Sequence, residues 1–169
     1  MTVHSRLAKP LVDSLRKALT RDALPGETQR FGREHELEAA EFLAGIAEKR
    51  KRGEVALAIE STGGEAGRRR MRIGIVNDDM PFLVDSVANA IAARQLTIHR
   101  LLHPVVCAKR DADGVLREVE PLCGDHSRQE SMMYIELDRA DARGRQELAA
   151  ELRAVLADVR VSVSDWKAL

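Results

Sequence analysis

The sequence predicts an α+β fold of the split βαβ, ferredoxin-like type (βαββαβ), preceded by a helical extension. Three observations carry this. Beyond Gly53 the apolar spacing alternates between strand and helix periods in the order strand, helix, strand, strand, helix, strand. Residues 1–53 hold two helical patterns instead, so 1–53 reads as an N-terminal helical segment and 54–169 as the ferredoxin-like domain. A length of 169 residues suits one domain with an appendage, or at most two small domains, and is enough to bury a core without staples.

The elements follow in order. "KPLVDSLRKAL" (Lys9 to Leu19) places Leu11, Leu15, Ala18 and Leu19 on one helical face, with Pro10 in the first turn. "RDALPGETQRFG" is a loop broken at Pro25-Gly26. A second helix is predicted from Arg33 to Arg52, acidic early (Glu34, Glu36, Glu38) and basic late (Lys49 to Arg52). That order complements the helix dipole, and Gly53 ends it. "EVALAIES" alternates Val55, Leu57 and Ile59 as a strand does, and "TGGEAGRRR" is a turn with a basic run. "MRIGIV" (Met71 to Val76) is a buried strand, Pro81 to Arg94 a helix, and "LTIHRLLHPVVCAKR" (Leu96 to Arg110) one long strand. "DADG" (Asp111 to Gly114) is a hairpin turn leading into Val115 to Leu122. "MMYIELD" is a strand, about Asp141 to Asp158 a helix, and "VRVSV", framed by Val159, Val161 and Val163, the last strand. Two helices would then cover one face of an antiparallel sheet and leave the other free for a partner.

Composition narrows the function classes. Lys+Arg and Asp+Glu are both 27, so no net field draws the chain to nucleic acid or an anionic membrane. Aromatics are 3% of residues, too few for a base-stacking surface. No segment approaches a membrane span, and "MTVHSRLAKP" lacks the apolar run of a signal peptide. Cys107 and Cys123 stand far apart without a C-x-x-C motif, which reads as free thiols in a reduced cytoplasm.

The candidate site is the strand-to-helix junction Asn77, Asp78, Asp79, Met80, Pro81 and Phe82. A catalytic acid pair, a ligand pocket and a helix cap would each begin like this. Asp79 before Met80-Pro81 is a good helix start, its carboxylate accepting first-turn N–H groups. Asp78 and Asp79 are adjacent in an extended stretch and point apart, whereas acid/base chemistry needs both aimed at one centre. Leu83, Val84, Val87 and Ile91 form the inward stripe, and Phe82 falls on the opposite face with Ser86, Asn89 and Ala93. An aromatic there serves contact with another domain, another subunit or a loop of the same chain. His99, His103 and Cys107 share a strand face at separations too large for one metal, and Cys123-Gly-Asp-His126 offers only two ligands. No G-x-G-x-x-G follows a strand, and "STGGEAG" lacks the end of a phosphate loop.

"RRRMRIGIVNDDMPFLVDSV", followed by "LTIHRLLHPVV", "QESMMYIELD" and "VSDW", resembles the N-terminal region of the large bacterial NAD-specific glutamate dehydrogenases, from about Leu37 onward and most densely from Arg68 to Val106. The resemblance implies an ACT-like domain, a ferredoxin-like module that binds amino acids or mediates regulatory contacts, within a much longer chain. It implies a non-catalytic role here, with NAD and the oxidation of L-glutamate to 2-oxoglutarate belonging to the full-length enzyme. The implied partners are the remainder of the same chain, further copies of it, and an amino-acid effector; docking without any small molecule is the alternative. In ligand-binding ACT domains the first strand-to-helix loop reads Asp/Asn-x-Pro-Gly. Asp79-Met80-Pro81 matches, but Phe82 stands where glycine lets a ligand approach the main chain.

Overall fold

The computed structural model describes residues 6–21, 23–29, 31–63 and 69–169. Most of the predicted "TGGEAGRRR" turn lies outside these residues. Among them, two helices, α1 (Lys9–Arg21) and α2 (Arg33–Ala47), precede strands β1 (Ala56–Thr62) and β2 (Arg70–Asp78). Helix α3 (Leu83–Ala93) leads to β3 (Ile98–Leu102), β4 (Val105–Arg110), β5 (Leu116–Glu120) and β6 (Arg128–Asp138), and α4 (Ala142–Ala168) closes the chain. The strands form one six-stranded sheet in which every recorded pairing is antiparallel. This is an α+β arrangement of the ferredoxin-like kind that the apolar spacing predicts, apart from its last strand.

Strand β6 is the spine. It pairs β2 along Arg70–Asp78 on one side, and β3 and β4 in succession on the other. The predicted long strand is therefore two, broken at His103-Pro104. Proline cannot donate to a ladder, and Pro104 instead offers its carbonyl to Met132 N–H at 2.9 Å.

Alternation along β2 and β6 feeds two cores. Met71, Ile73 and Ile75 join Met133, Ile135 and Leu137 beneath α3 and α4, with Leu83, Val87, Ile91, Leu148, Leu152 and Leu156. Val76, Met132 and Tyr134 face the opposite way, onto α1 and α2. The second face of the sheet is thus covered by the chain's own N-terminal helices, contrary to the expectation of a face left for a partner. "MMYIEL" is apolar almost without interruption because β6 is buried on both sides. Helix α2 approaches closely through Ala39, Ala40, Ala44 and Ala47, all fully buried. Gly74 lies under it, where an added Cβ would stand 2.2 Å from Ile46 Cδ1 and 2.9 Å from Phe42 Cε1.

Elsewhere the elements differ from expectation at the end of the chain, at the end of α2 and at the start of α3, which is Leu83 rather than Pro81. The last strand is absent: α4 runs on through Val159–Val163 to Ala168. Val159 and Val163 extend the helical stripe Leu148, Leu152, Leu156 down the same core, and this burial outweighs the β preference of a valine-rich run. The edge beside β2 that a final strand would take is filled by β1. Helix α2 ends at Ala47 rather than Arg52, so the basic residues lie beyond it. Lys49 forms a bridge to Val115, and Leu116 N–H donates to Glu48 O at 3.0 Å, which ties this exit segment to the β4–β5 hairpin. Gly53, expected to end α2, lies instead in a turn beyond it; it and Gly114 of the hairpin turn take positive φ, +87° and +84°.

Candidate functional site

At the β2–α3 junction the strand alternation sends consecutive side chains to opposite layers. Asn77 is fully buried on the α4 side, where its Oδ1 accepts from Arg160 Nη2 at 2.5 Å. Asp78 turns toward the segment leaving α2. Its Oδ1 accepts from Arg50 Nη2 at 2.9 Å, its Oδ2 from Gly53 N–H at 2.8 Å, and Arg160 Nη2 lies 3.9 Å from Oδ2.

Arg50 is the centre of this arrangement. Asp78 and Glu130 sit directly opposite each other on β2 and β6. Two like charges in that register repel. The Arg50 guanidinium lies between them, 2.8 Å from Glu130 Oε1, and both the Arg50 and Glu130 side chains are 3% exposed. Arg110 Nε binds Glu130 from β4 at 2.8 Å, and its Nη1 donates to Ala47 O and Gly114 O, both at 2.8 Å. Arg50 Nη1 also donates to Glu54 O at 2.8 Å. The charges are buried, paired and hydrogen-bonded on several sides, which is the condition for tolerating them in a low-dielectric interior.

The rest of the junction faces outward. Asp79 is exposed, and its N–H donates to Gln129 O at 3.2 Å. Met80 packs on the edge of the α3–α4 core. Pro81 is exposed and precedes the helix by a turn. Asp79 is not the helix cap: the N-cap position is Phe82, with no side-chain cap hydrogen bond. Its backbone is left-handed (φ 69°, ψ 4°), and the residue is 64% exposed. The left-handed backbone at Phe82 makes the helix begin at Leu83 rather than at Pro81, and leaves Asp79 out of reach of the first-turn N–H groups.

Asp79, Met80 and Asp78 line a groove of about 540 Å³. Its other walls are Arg52, Cys123, Ser127, Arg128 and Gln129, with Arg160, Val163, Ser164 and Lys167 from α4. A larger cleft of about 1690 Å³ lies elsewhere, between α1, α2 and β1, and runs to Gly63, next to residues outside those described. Near the groove, His103 Nε2 is 2.5 Å from Ser131 Oγ. Burial pulls the His103 imidazole below its ordinary pKa, while the Asp79 carboxylate opposes that shift.

The expectation of free thiols is overturned: Cys107 and Cys123 are bonded as a disulfide. The β4–β5 hairpin folds the chain back so that residues 16 apart in sequence have Cα atoms 5.1 Å apart. Among the described residues no group of three or more His, Cys, Asp or Glu could hold a metal ion. His99 is engaged separately by Asp138 at 2.7 Å. A dinucleotide does not fit the junction either. A pyrophosphate needs glycine where the strand turns into the helix, and Phe82 stands there.

Sequence reasoning singled out the junction but missed Arg50, Arg110, Glu130 and Arg160, which hold it. A signal exists for one of them. Glu130, Met132 and Tyr134 alternate on β6, so a carboxylate shares a face with two core residues and calls for a buried cation.

Residues 22–152, most of the chain, match the family model described as glutamate dehydrogenase, ACT1 domain. The chain belongs to this family. Two curated proteins, both named NAD-specific glutamate dehydrogenase, are similar to the ACT1 domain described here. The one from Pseudomonas aeruginosa is 38% identical over 98 residues, and the one from Halomonas elongata 37% over 98 residues, in each case 56% of this chain. The ACT1 chain spans about 6% of the length of each relative. No solved structure matches it. Among the described residues, no helix of the ACT1 domain is long and apolar enough to cross a membrane.

Proposed function

We propose that this ACT1 domain is a non-catalytic regulatory and assembly module of an NAD-specific glutamate dehydrogenase. In this reading the full-length cytoplasmic enzyme oxidises L-glutamate to 2-oxoglutarate with NAD held elsewhere in the chain. The domain acts through the outward-facing part of this junction, Asp79 to Phe82, on the remainder of that chain or on a second copy, since Asn77 and Asp78 are taken up inside the domain. The observation that carries the reading is Phe82, whose ring is largely exposed on a left-handed backbone that costs roughly 1–2 kcal/mol for a non-glycine residue. A residue strained in this way that adds little to its own core is well suited to a contact made outside the domain.

A second reading, binding of an amino-acid effector, is favoured by the charges of the groove. The exposed Asp79 carboxylate suits an α-amino group, and Arg52, Arg128 and Lys167 suit a carboxylate. Asp78 is not offered to a ligand in either reading, because Arg50 and Gly53 already occupy it.

The test of the contact reading is a Phe82→Asp substitution in the full-length dehydrogenase, followed by sedimentation. The proposal expects loss of the native assembly with unchanged unfolding of the ACT1 domain itself. Unaltered assembly and unaltered glutamate saturation would reject it.

A further inference from the structure

The disulfide sits at the rim of the junction groove, and its two halves are held very differently. Cys107 is half-buried in β4, in register with Glu120 of β5 and Gln129 of β6. Cys123 is exposed, lies in the loop 121–127 and lines the groove. Every residue of that loop before Ser127 is exposed. Its hydrogen bonds among the described residues, such as Gly124 N–H to Ser127 Oγ at 2.8 Å, stay within the loop and the end of β5. The covalent bond is therefore what fastens the loop to β4. From the loop the chain passes directly to Arg128 and Gln129, which wall the groove opposite Asp79.

We propose that Cys107 and Cys123 form a reversible thiol–disulfide couple that sets the order of this groove wall, with a dithiol reductant as its reaction partner. This rests on the cytoplasmic reading proposed above, because in a reducing compartment a disulfide is usually transient and redox-sensing rather than a permanent staple. The accessible sulfur is that of Cys123. A thiolate of the reductant attacks Cys123 Sγ, the Sγ–Sγ bond breaks, and Cys107 leaves as a thiolate and takes up a proton. The reductant's second thiol, as thiolate, then attacks its own sulfur in the mixed disulfide and releases the Cys123 thiolate. Two electrons pass to the protein, which gains two thiols, and the reductant departs as its disulfide. Pairing of β4 with β6 from Val105 to Ala108 does not depend on the bond, so the consequence is confined to the loop and the groove. The proposal holds whether the groove meets a protein surface or an amino acid.

The experiment compares this chain in oxidised glutathione and in dithiothreitol. Thiols are counted by alkylation, and amide exchange is followed by mass spectrometry. The expected result is no reactive thiol in the oxidised form and two after reduction. Reduction should accelerate exchange roughly tenfold or more at residues 121–127, with β2, β6 and α4 unchanged and full reversal on reoxidation. A Cys107→Ser, Cys123→Ser double variant should show the reduced pattern in both buffers; if it does not fold, the wild-type comparison decides alone. Thiols that do not pair in oxidised glutathione would overturn the proposal. Equal exchange at the groove in both redox states would overturn it too, as would redox dependence that persists in the double variant.

Discussion

Arg50 lies between Asp78 and Glu130, 2.9 Å from the first carboxylate and 2.8 Å from the second, although the two carboxylates face each other across β2 and β6. One guanidinium thus turns a repulsive register into the joint between the α2 exit and the sheet. Removing one partner of a buried pair strands the remaining charge, and the usual cost is about 3–5 kcal/mol. Glu130→Gln leaves both Arg50 and Arg110 short of charge and is expected to destabilise by that amount in urea unfolding. Asp78 is 26% exposed, so water shares its charge, and Asp78→Asn should cost less, roughly 1–2 kcal/mol.

Gly74→Ala tests how closely α2 sits on the sheet. The new methyl would meet Ile46 and Phe42 at distances no relaxed contact allows. Overpacking of this kind costs typically 1–3 kcal/mol. The loss should appear as a lower unfolding midpoint, and Ile46→Ala in the same background should recover part of it.

Among the described residues, two that are not glycine, Phe82 and Gln95, hold positive φ, 69° and 58°. Gln95 follows the last turn of α3, where its N–H donates to Ala92 O at 2.9 Å, a position that favours glycine. Gln95→Gly should stabilise by roughly 0.5–1 kcal/mol in thermal unfolding. Phe82→Gly relieves the same backbone strain and loses little burial, so its midpoint should stay level or rise. A fall of several degrees would mean the ring supports the fold.

His103 gives a pH signature. Its folded pKa is depressed by burial, so between that value and about 6.5 the unfolded chain binds more protons than the folded one. Stability from this group is complete above about pH 6.5 and is lost as pH falls toward the folded pKa. Denaturation midpoints measured from pH 7.5 to 5 should show the decline, and His103→Gln should flatten it.

Much of the fold was legible because burial and periodicity agree. Met71, Ile73 and Ile75 alternate toward one core, and Leu148, Leu152 and Leu156 keep helical spacing along another element. Legibility failed where two periods fit the same residues. Val159, Val161 and Val163 alternate as a strand, yet Val159 and Val163 also continue the α4 stripe, and Val161 is simply its exposed face at 59%. The junction stood out because Asn77 to Phe82 break both periods. Its internal partners did not, because Arg50, Arg110 and Arg160 come from three other elements, and only the folded register brings them to Asp78, Glu130 and Asn77. The disulfide was hidden for the same reason, since the hairpin and not the spacing brings Cys107 to Cys123.

The most direct test of the central claim, that the junction is a contact surface with its glycine position closed by Phe82, is thermal unfolding of wild type and Phe82→Gly against a panel of amino acids. A ligand at about 100 times its dissociation constant adds roughly 2.7 kcal/mol of stability. No saturable shift is expected in the wild type with any amino acid, whatever the variant does. A saturable shift in the wild type would contradict that claim and make the groove beside Asp79 an effector site.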